Sequence, residues 1–157
     1  MHPLAVGQLA PEFRLQGPGG QWVSLSDYRD NQNVVLVFYP LAFSRVCSHQ
    51  LPELQQHIAE FRELDTVVFG VSVDSHYANL AFAKSLNLDF PLLSDFKRQA
   101  MTAYGVLDIE KGYSGRATFL IGKDGRIAYV EMAAITNDMA QVPSPERLLE
   151  ALRAMVG

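Results

Sequence analysis

The run Val34-Val35-Leu36-Val37-Phe38-Tyr39 constrains this chain more than any other segment. It is wholly apolar and mostly β-branched or aromatic, which reads as a strand buried on both faces. Val67-Val68-Phe69-Gly70-Val71-Ser72-Val73 reads as a second strand of the same kind. Such strands need a layer of structure on each side. After the first run, Leu51, Leu54, Ile58 and Phe61 recur at helical spacing and mark a core-facing stripe. After the second, residues 79–86 read as a helix, with Leu80, Phe82, Ala83 and Leu86 at its apolar positions. A strand-helix-strand order of this kind calls for parallel pairing through a crossover helix.

Antiparallel elements are expected on either side. Phe13-Arg14-Leu15 and Trp22-Val23-Ser24-Leu25 flank the turn-rich Gly17-Pro18-Gly19-Gly20, which predicts an N-terminal hairpin. Ala117-Thr118-Phe119-Leu120-Ile121 and Arg126-Ile127-Ala128-Tyr129-Val130, joined by Gly122-Lys123-Asp124-Gly125, predict another. Ser144-Pro145-Glu146 opens a C-terminal helix, with a capping serine and proline at the first helical position. The expected fold class is α/β, a thioredoxin-like central mixed β-sheet flanked by helices, with an N-terminal β-hairpin extension. A single domain over residues 1–157 is expected.

The balance of residues narrows the function classes. Hydrophobic residues make up 48% and charged residues 19%, so a disordered chain is excluded. The net charge of −4 argues against nucleic acid or an anionic membrane as partner. No apolar run approaches the roughly 20 residues needed to span a bilayer. No basic-then-apolar signal peptide is evident at Met1-His2-Pro3-Leu4-Ala5-Val6-Gly7, and a cytoplasmic location is expected. Gly17-Pro18-Gly19-Gly20 lacks the lysine-serine pair of a phosphate loop. His49, His57 and Cys47 lack the spacing of a metal site, so neither cofactor nor metal is expected.

Cys47 is the only cysteine of the sequence. It follows the first buried strand and stands at the mouth of a helical pattern, where unpaired N–H groups and the positive end of the helix dipole favour thiolate over thiol. The competing reading is a small buried apolar residue. Ser44, three residues before it, is placed to cap the helix with its hydroxyl. Pro40 ends the strand and prevents its ladder from continuing into the loop. Together these residues predict a concave pocket with donors facing one sulfur.

Pro40, Ser44 and Cys47 match the active-site signature of the peroxiredoxins: proline, three residues, threonine or serine, two residues, cysteine. Arg116-Ala117-Thr118-Phe119 matches the family's second signature. Ala10-Pro11-Glu12-Phe13 and Pro91-Leu92-Leu93-Ser94-Asp95 are also similar to family segments. The chain resembles the peroxiredoxins over nearly its whole length, and its lone cysteine is most similar to the one-cysteine, E-type alkyl hydroperoxidases.

The resemblance implies a thiol-dependent peroxidase acting on hydrogen peroxide and organic hydroperoxides. Cys47 would be the nucleophile and become a sulfenic acid. Arg116, the Ser44 hydroxyl and the backbone amides of Val46 and Cys47 would position the peroxide, with Pro40 shielding the sulfur. A guanidinium suits that role because it stays charged and offers forked donors. The substrate pocket would comprise Leu41, Ala42, Phe43, Val46 and Gln50. Its apolar rim, with Phe96 nearby, points to organic hydroperoxides. The resemblance also implies a homodimer formed through the loops 40–43, 74–76 and 96–104.

Two residues depart from the pattern. Gln50 stands where glutamate is common, so the group orienting Arg116 carries no charge. Pro52 occupies the place of a resolving cysteine and predicts a kink or restart in the cysteine-bearing helix. With no second cysteine, resolution is expected from an external reductant, a low-molecular-weight thiol or a thioredoxin- or glutaredoxin-like protein. The absence of a Cys-x-x-Cys pair excludes a dithiol reductase of that form. A redox-sensing protein that signals through oxidised Cys47 without efficient turnover is the alternative.

Overall fold

A computed structural model describes residues 2–45, 47–133 and 144–156 of the chain. Its centre is the first predicted strand, β3 (Asn33–Phe38), with all six residues buried. Side chains alternate across it. Val34, Leu36 and Phe38 enter one core, and Val35 and Val37 enter the other. β3 pairs in parallel with β4 (Thr66–Ser72), register Val34 opposite Val67, and antiparallel with β8 (Arg116–Ile121), register Phe38 opposite Ala117. β8 turns back into β9 (Ile127–Ala133), forming the second predicted hairpin.

The N-terminal hairpin consists of β1 (Arg14–Gln16) and β2 (Trp22–Ser24), in antiparallel register. It is joined to the main sheet by β5 (Leu92–Ser94), which pairs in parallel with β4 and bridges to β1 at Gln16–Ser94. The seven strands run β2-β1-β5-β4-β3-β8-β9, a mixed sheet with the hairpin continuous at one edge. A small ladder, β6 (Leu107–Asp108) with β7 (Tyr113–Ser114), precedes β8.

Helices cover both faces. Leu51 and Leu54 of α1 (Cys47–Gln56), Ile58 and Phe61 of α2 (Ile58–Glu63), Phe82 of α3 (His76–Ser85) and Leu148 and Leu152 of α5 (Pro145–Val156) fill one core. Ala100 and Met101 of α4 (Gln99–Ala103) fill the other, against Phe13 and Leu15. The buried Asp95 carboxylate fixes α4 by accepting from the N–H groups of Ala100 at 3.0 Å and Met101 at 2.8 Å.

Two expectations require correction. The helix carrying Cys47 continues through Pro52 and breaks at His57, where the His57 N–H bonds back to the Leu54 carbonyl in a tight turn. Pro52 removes one ladder bond, but Leu51 and Leu54 on either side are buried and hold the helix together. α3 begins at His76, three residues before the predicted start, because Ser75 caps it by accepting from the Ala78 N–H at 3.2 Å. Tyr104, within the expected contact loop 96–104, is fully buried and donates to the Pro11 carbonyl at 2.8 Å.

The C-terminal helix is fixed to the sheet beside the cysteine helix. Arg147 Nε of α5 donates to Glu131 Oε1 of β9 at 3.0 Å, and Tyr129 donates to the other oxygen at 2.6 Å. Burial alone would raise the Glu131 carboxyl, but these two hydrogen bonds hold it below the usual carboxylate range. Burial and the neighbouring carboxylate push Tyr129 up to about 12, so its phenol remains a donor. A carboxyl lowered by folding contributes stability above its unfolded value, and that stability is lost as pH falls through its folded value. Glu131→Gln is therefore expected to cost about 1 kcal/mol or less near neutrality, since Arg147 is solvated. In urea titrations the difference from wild type should shrink as the pH falls through the lowered folded value of Glu131 and vanish below it.

Candidate active site

Cys47 is the first residue of α1 and is fully buried. Arg116 is the first residue of β8 and is 3% exposed. The two are 69 residues apart in sequence, yet Arg116 Nη1 donates to Cys47 Sγ at 2.9 Å. Sheet register explains the meeting. Ala117 lies opposite Phe38, so Arg116 emerges beside the end of β3, from which the loop to Cys47 departs. The same Nη1 donates to Gln50 Oε1 at 3.3 Å, one turn further along α1. Gln50 thus holds the guanidinium without neutralising it.

Arg116 is an unusual cation. Among the described residues no carboxylate pairs with it, and its Nε is buried without a hydrogen-bond partner. A buried charge of this kind is costly unless an opposite charge faces it. The sulfur it touches can carry that charge.

The loop between β3 and α1 holds the remaining signature residues. Pro40 is buried. The Tyr39 N–H extends the ladder to the Val71 carbonyl at 3.0 Å, and the Ser114 hydroxyl donates to the Tyr39 carbonyl at 3.3 Å. Leu41 to Ser44 form a turn closed by the Ser44 N–H on the Leu41 carbonyl at 3.4 Å. Phe43, third in that turn, has a φ of 65°, in the left-handed region. Its ring packs on Phe82, with centroids 4.9 Å apart.

The Ser44 hydroxyl is not the helix cap that its spacing predicts. Its carbonyl starts the helical bonding by accepting from the Ser48 N–H at 2.9 Å, while Oγ is buried with no partner among the described residues. Ser48 adds its own hydroxyl to the Ser44 carbonyl at 2.8 Å. The backbone therefore begins the helix, and the Ser44 hydroxyl is left available. Cys47, the sulfur at the centre of the predicted concave pocket, is fully buried. Leu41 and Phe43 are exposed and Ala42 is half-buried on the outer side of the loop. Val46 lies outside the described residues.

Sequence reasoning missed the polar network behind this loop. Tyr39, Ser72 and Asn79 are fully buried. The Tyr39 hydroxyl donates to Asn79 Oδ1 at 2.6 Å, and Asn79 Nδ2 donates to the Leu93 carbonyl at 3.3 Å. Burial pushes the Tyr39 phenol far up, keeping it a donor. The one sequence signal was Ser72, a hydroxyl in an apolar strand, which requires a partner when buried. The histidines lie elsewhere. His57 bonds Glu60 at 2.9 Å, His76 stacks on Tyr77, and His49 is exposed.

Comparison with known proteins shows the family and the fold. The sequence model of the AhpC/TSA family matches residues 6–130. The chain belongs to the AhpC/TSA family. The alkyl hydroperoxide reductase E of Mycobacterium tuberculosis is 38% identical over 131 residues, covering 82% of this chain and 86% of that protein. A chloroplastic 2-cysteine peroxiredoxin of Chattonella marina var. antiqua is 36% identical over 162 residues, covering 97% of this chain and 80% of that protein. Among solved structures, the reduced 2-Cys peroxiredoxin of Plasmodium vivax superposes with a TM-score of 0.86 at 29% identity, covering 98% of this chain and 83% of that one. A PrxQ mutant from Xylella fastidiosa gives a TM-score of 0.85 at 26% identity, with both chains covered completely. The fold is thioredoxin-like and the protein is a peroxiredoxin, a thiol-dependent peroxidase with a single cysteine.

The unpaired guanidinium has a measurable consequence for stability. Arg116→Met removes a buried charge while keeping much of the side-chain length. In urea unfolding of protein that also carries Cys47→Ser, where no thiolate faces the guanidinium, it is expected to be neutral or stabilising by up to about 4 kcal/mol. A loss of comparable size would show that Arg116 serves chiefly to hold the fold together.

Proposed function

We propose that this peroxiredoxin reduces hydroperoxides by a one-cysteine mechanism. The observation that carries the reading is the sulfur of Cys47 within hydrogen-bond distance of a guanidinium that no carboxylate faces among the described residues, with two buried polar atoms, Arg116 Nε and Ser44 Oγ, lacking partners there. A positive donor stabilises negative charge on sulfur. The two unpaired groups are suited to the two oxygens of a peroxide, which arrives with lone pairs and, in ROOH, one proton.

The thiolate attacks the terminal oxygen of ROOH. The S–O bond forms as the O–O bond breaks, and the departing alkoxide takes up a proton and leaves as alcohol, or as water from hydrogen peroxide. The developing charge on the leaving oxygen would fall to Arg116 and the Ser44 hydroxyl, two buried donors kept from water. Cys47 is left as sulfenic acid. One external thiol condenses with it, releasing water and forming a mixed disulfide. A second thiol displaces the first as a disulfide and restores Cys47. Pro52 in place of a resolving cysteine and the lack of any other cysteine in the sequence support an external reductant.

Leu41, Ala42 and Phe43 form the outer rim through which a substrate would reach the enclosed sulfur. Their apolar character favours organic hydroperoxides. Exposed Leu41, Phe43, Tyr77 and Phe96 support a homodimer formed through the loops around them. No helix among the described residues is long and apolar enough to cross a membrane.

Stopped-flow oxidation of reduced protein tests the mechanism. Cys47→Ser should abolish the reaction, and Arg116→Gln should slow it by about 10²–10³-fold, the usual effect of deleting one donor to a developing oxyanion. Cumene hydroperoxide should react faster than hydrogen peroxide. Repeated turnover with added thiol is expected, whereas a single oxidation without turnover under every reductant would favour a sensor.

A further inference from the structure

Asp74 belongs to neither signature motif, yet its carboxylate reaches into the loop that carries Pro40 and Ser44. Asp74 Oδ2 accepts from the Ala42 N–H at 2.8 Å. The same oxygen accepts from the Ser72 hydroxyl at 2.8 Å, and the Asp74 N–H donates to Ser72 Oγ at 3.3 Å. Ser72 Oγ also lies 3.2 Å from Asn79 Oδ1, which receives the Tyr39 hydroxyl. Asp74 is therefore fixed from behind by Ser72 at the end of β4, which Asn79 of α3 meets in turn, and it holds the loop by one backbone amide.

That amide occupies a decisive place in the turn. Ala42 is the second residue of the turn from Leu41 to Ser44, and Phe43, the third, is held with φ at 65°. A turn with a left-handed third residue ordinarily takes glycine or asparagine there. A phenylalanine persists in this conformation only when surrounding contacts over-determine it. Two such contacts are present, the Phe43 ring on Phe82 and the Ala42 N–H on Asp74. Ser44 is the next residue, so the direction of its unpartnered hydroxyl depends on this turn.

We propose that Asp74 is a positioning residue for peroxide reduction, anchoring the Leu41–Ser44 turn so that the Ser44 hydroxyl is aimed for the peroxide beside Cys47. It acts through the Ala42 amide and touches neither the sulfur nor the substrate. The assignment rests on the peroxidase reading above. It predicts that loosening the anchor impairs the reaction needing aimed donors while sparing the intrinsic reactivity of the sulfur.

The test compares stopped-flow oxidation by hydrogen peroxide with alkylation of Cys47 by iodoacetamide, in wild type and four variants. Asp74→Ala should slow oxidation by about 10- to 100-fold, the scale of a small misplacement of reacting groups. Alkylation should be no slower than in wild type, because Arg116 still faces the sulfur. Asp74→Asn keeps an acceptor for the Ala42 amide and should recover oxidation to within about threefold of wild type. Ala42→Pro removes the donor from the other side at a turn position that favours proline, and keeps the question answerable should Asp74→Ala fail to fold. It should match Asp74→Ala, and the double variant should be no slower than either alone. Unchanged oxidation in Asp74→Ala and Ala42→Pro, or a parallel fall in oxidation and alkylation, would overturn the assignment while leaving the peroxidase reading intact. Wild-type oxidation no faster than that of free cysteine would instead overturn the reading on which the assignment rests.

Discussion

The hydrogen bond from Arg116 to the sulfur of Cys47 organises the rest of the molecule. A guanidinium 3% exposed, held by a neutral glutamine and by no carboxylate among the described residues, is a poor way to stabilise a protein. It becomes intelligible when the group it touches can be an anion. Glutamine at position 50 keeps the geometry and leaves the positive charge uncompensated for the sulfur.

The sheet exists, in functional terms, to bring those two residues together. Pairing β3 with β8 places the start of one strand beside the end of the other, which delivers Arg116 to the loop leading into α1. The parallel partner β4 ends on the other side of β3, and the residues just beyond it supply Asp74. The loop from Tyr39 to Ser44 is therefore held from both flanking strands, through Ser114 near β8 and Asp74 after β4. A strained turn survives because these anchors come from elements buried in the core and fixed independently of it.

Much of this was legible in the sequence. Two apolar runs gave the central strands, and the hairpin around Gly122 to Gly125 gave β8 and β9. The signature residues Cys47 and Arg116 were brought together by the fold. What local pattern could not supply were side-chain partners determined by tertiary position. Proline reads as a helix breaker from chemistry alone, yet at Pro52 neighbouring Leu51 and Leu54 packing carries the helix onward to His57. A serine three residues before a helix reads as its cap, yet the Ser44 carbonyl starts the helix and the hydroxyl has no partner among the described residues. Asp74 was invisible because its partner is a backbone amide 32 residues away, a contact that no periodicity encodes.

The most direct measurement is the far-ultraviolet absorbance of the thiolate in reduced protein at neutral pH, with Cys47→Ser as the blank. If the guanidinium holds negative charge on the sulfur, wild type carries a cysteine-dependent absorbance that is lost when Arg116 is replaced by methionine. Absorbance equal to the blank in wild type, or an undiminished signal without Arg116, would contradict the account at its root.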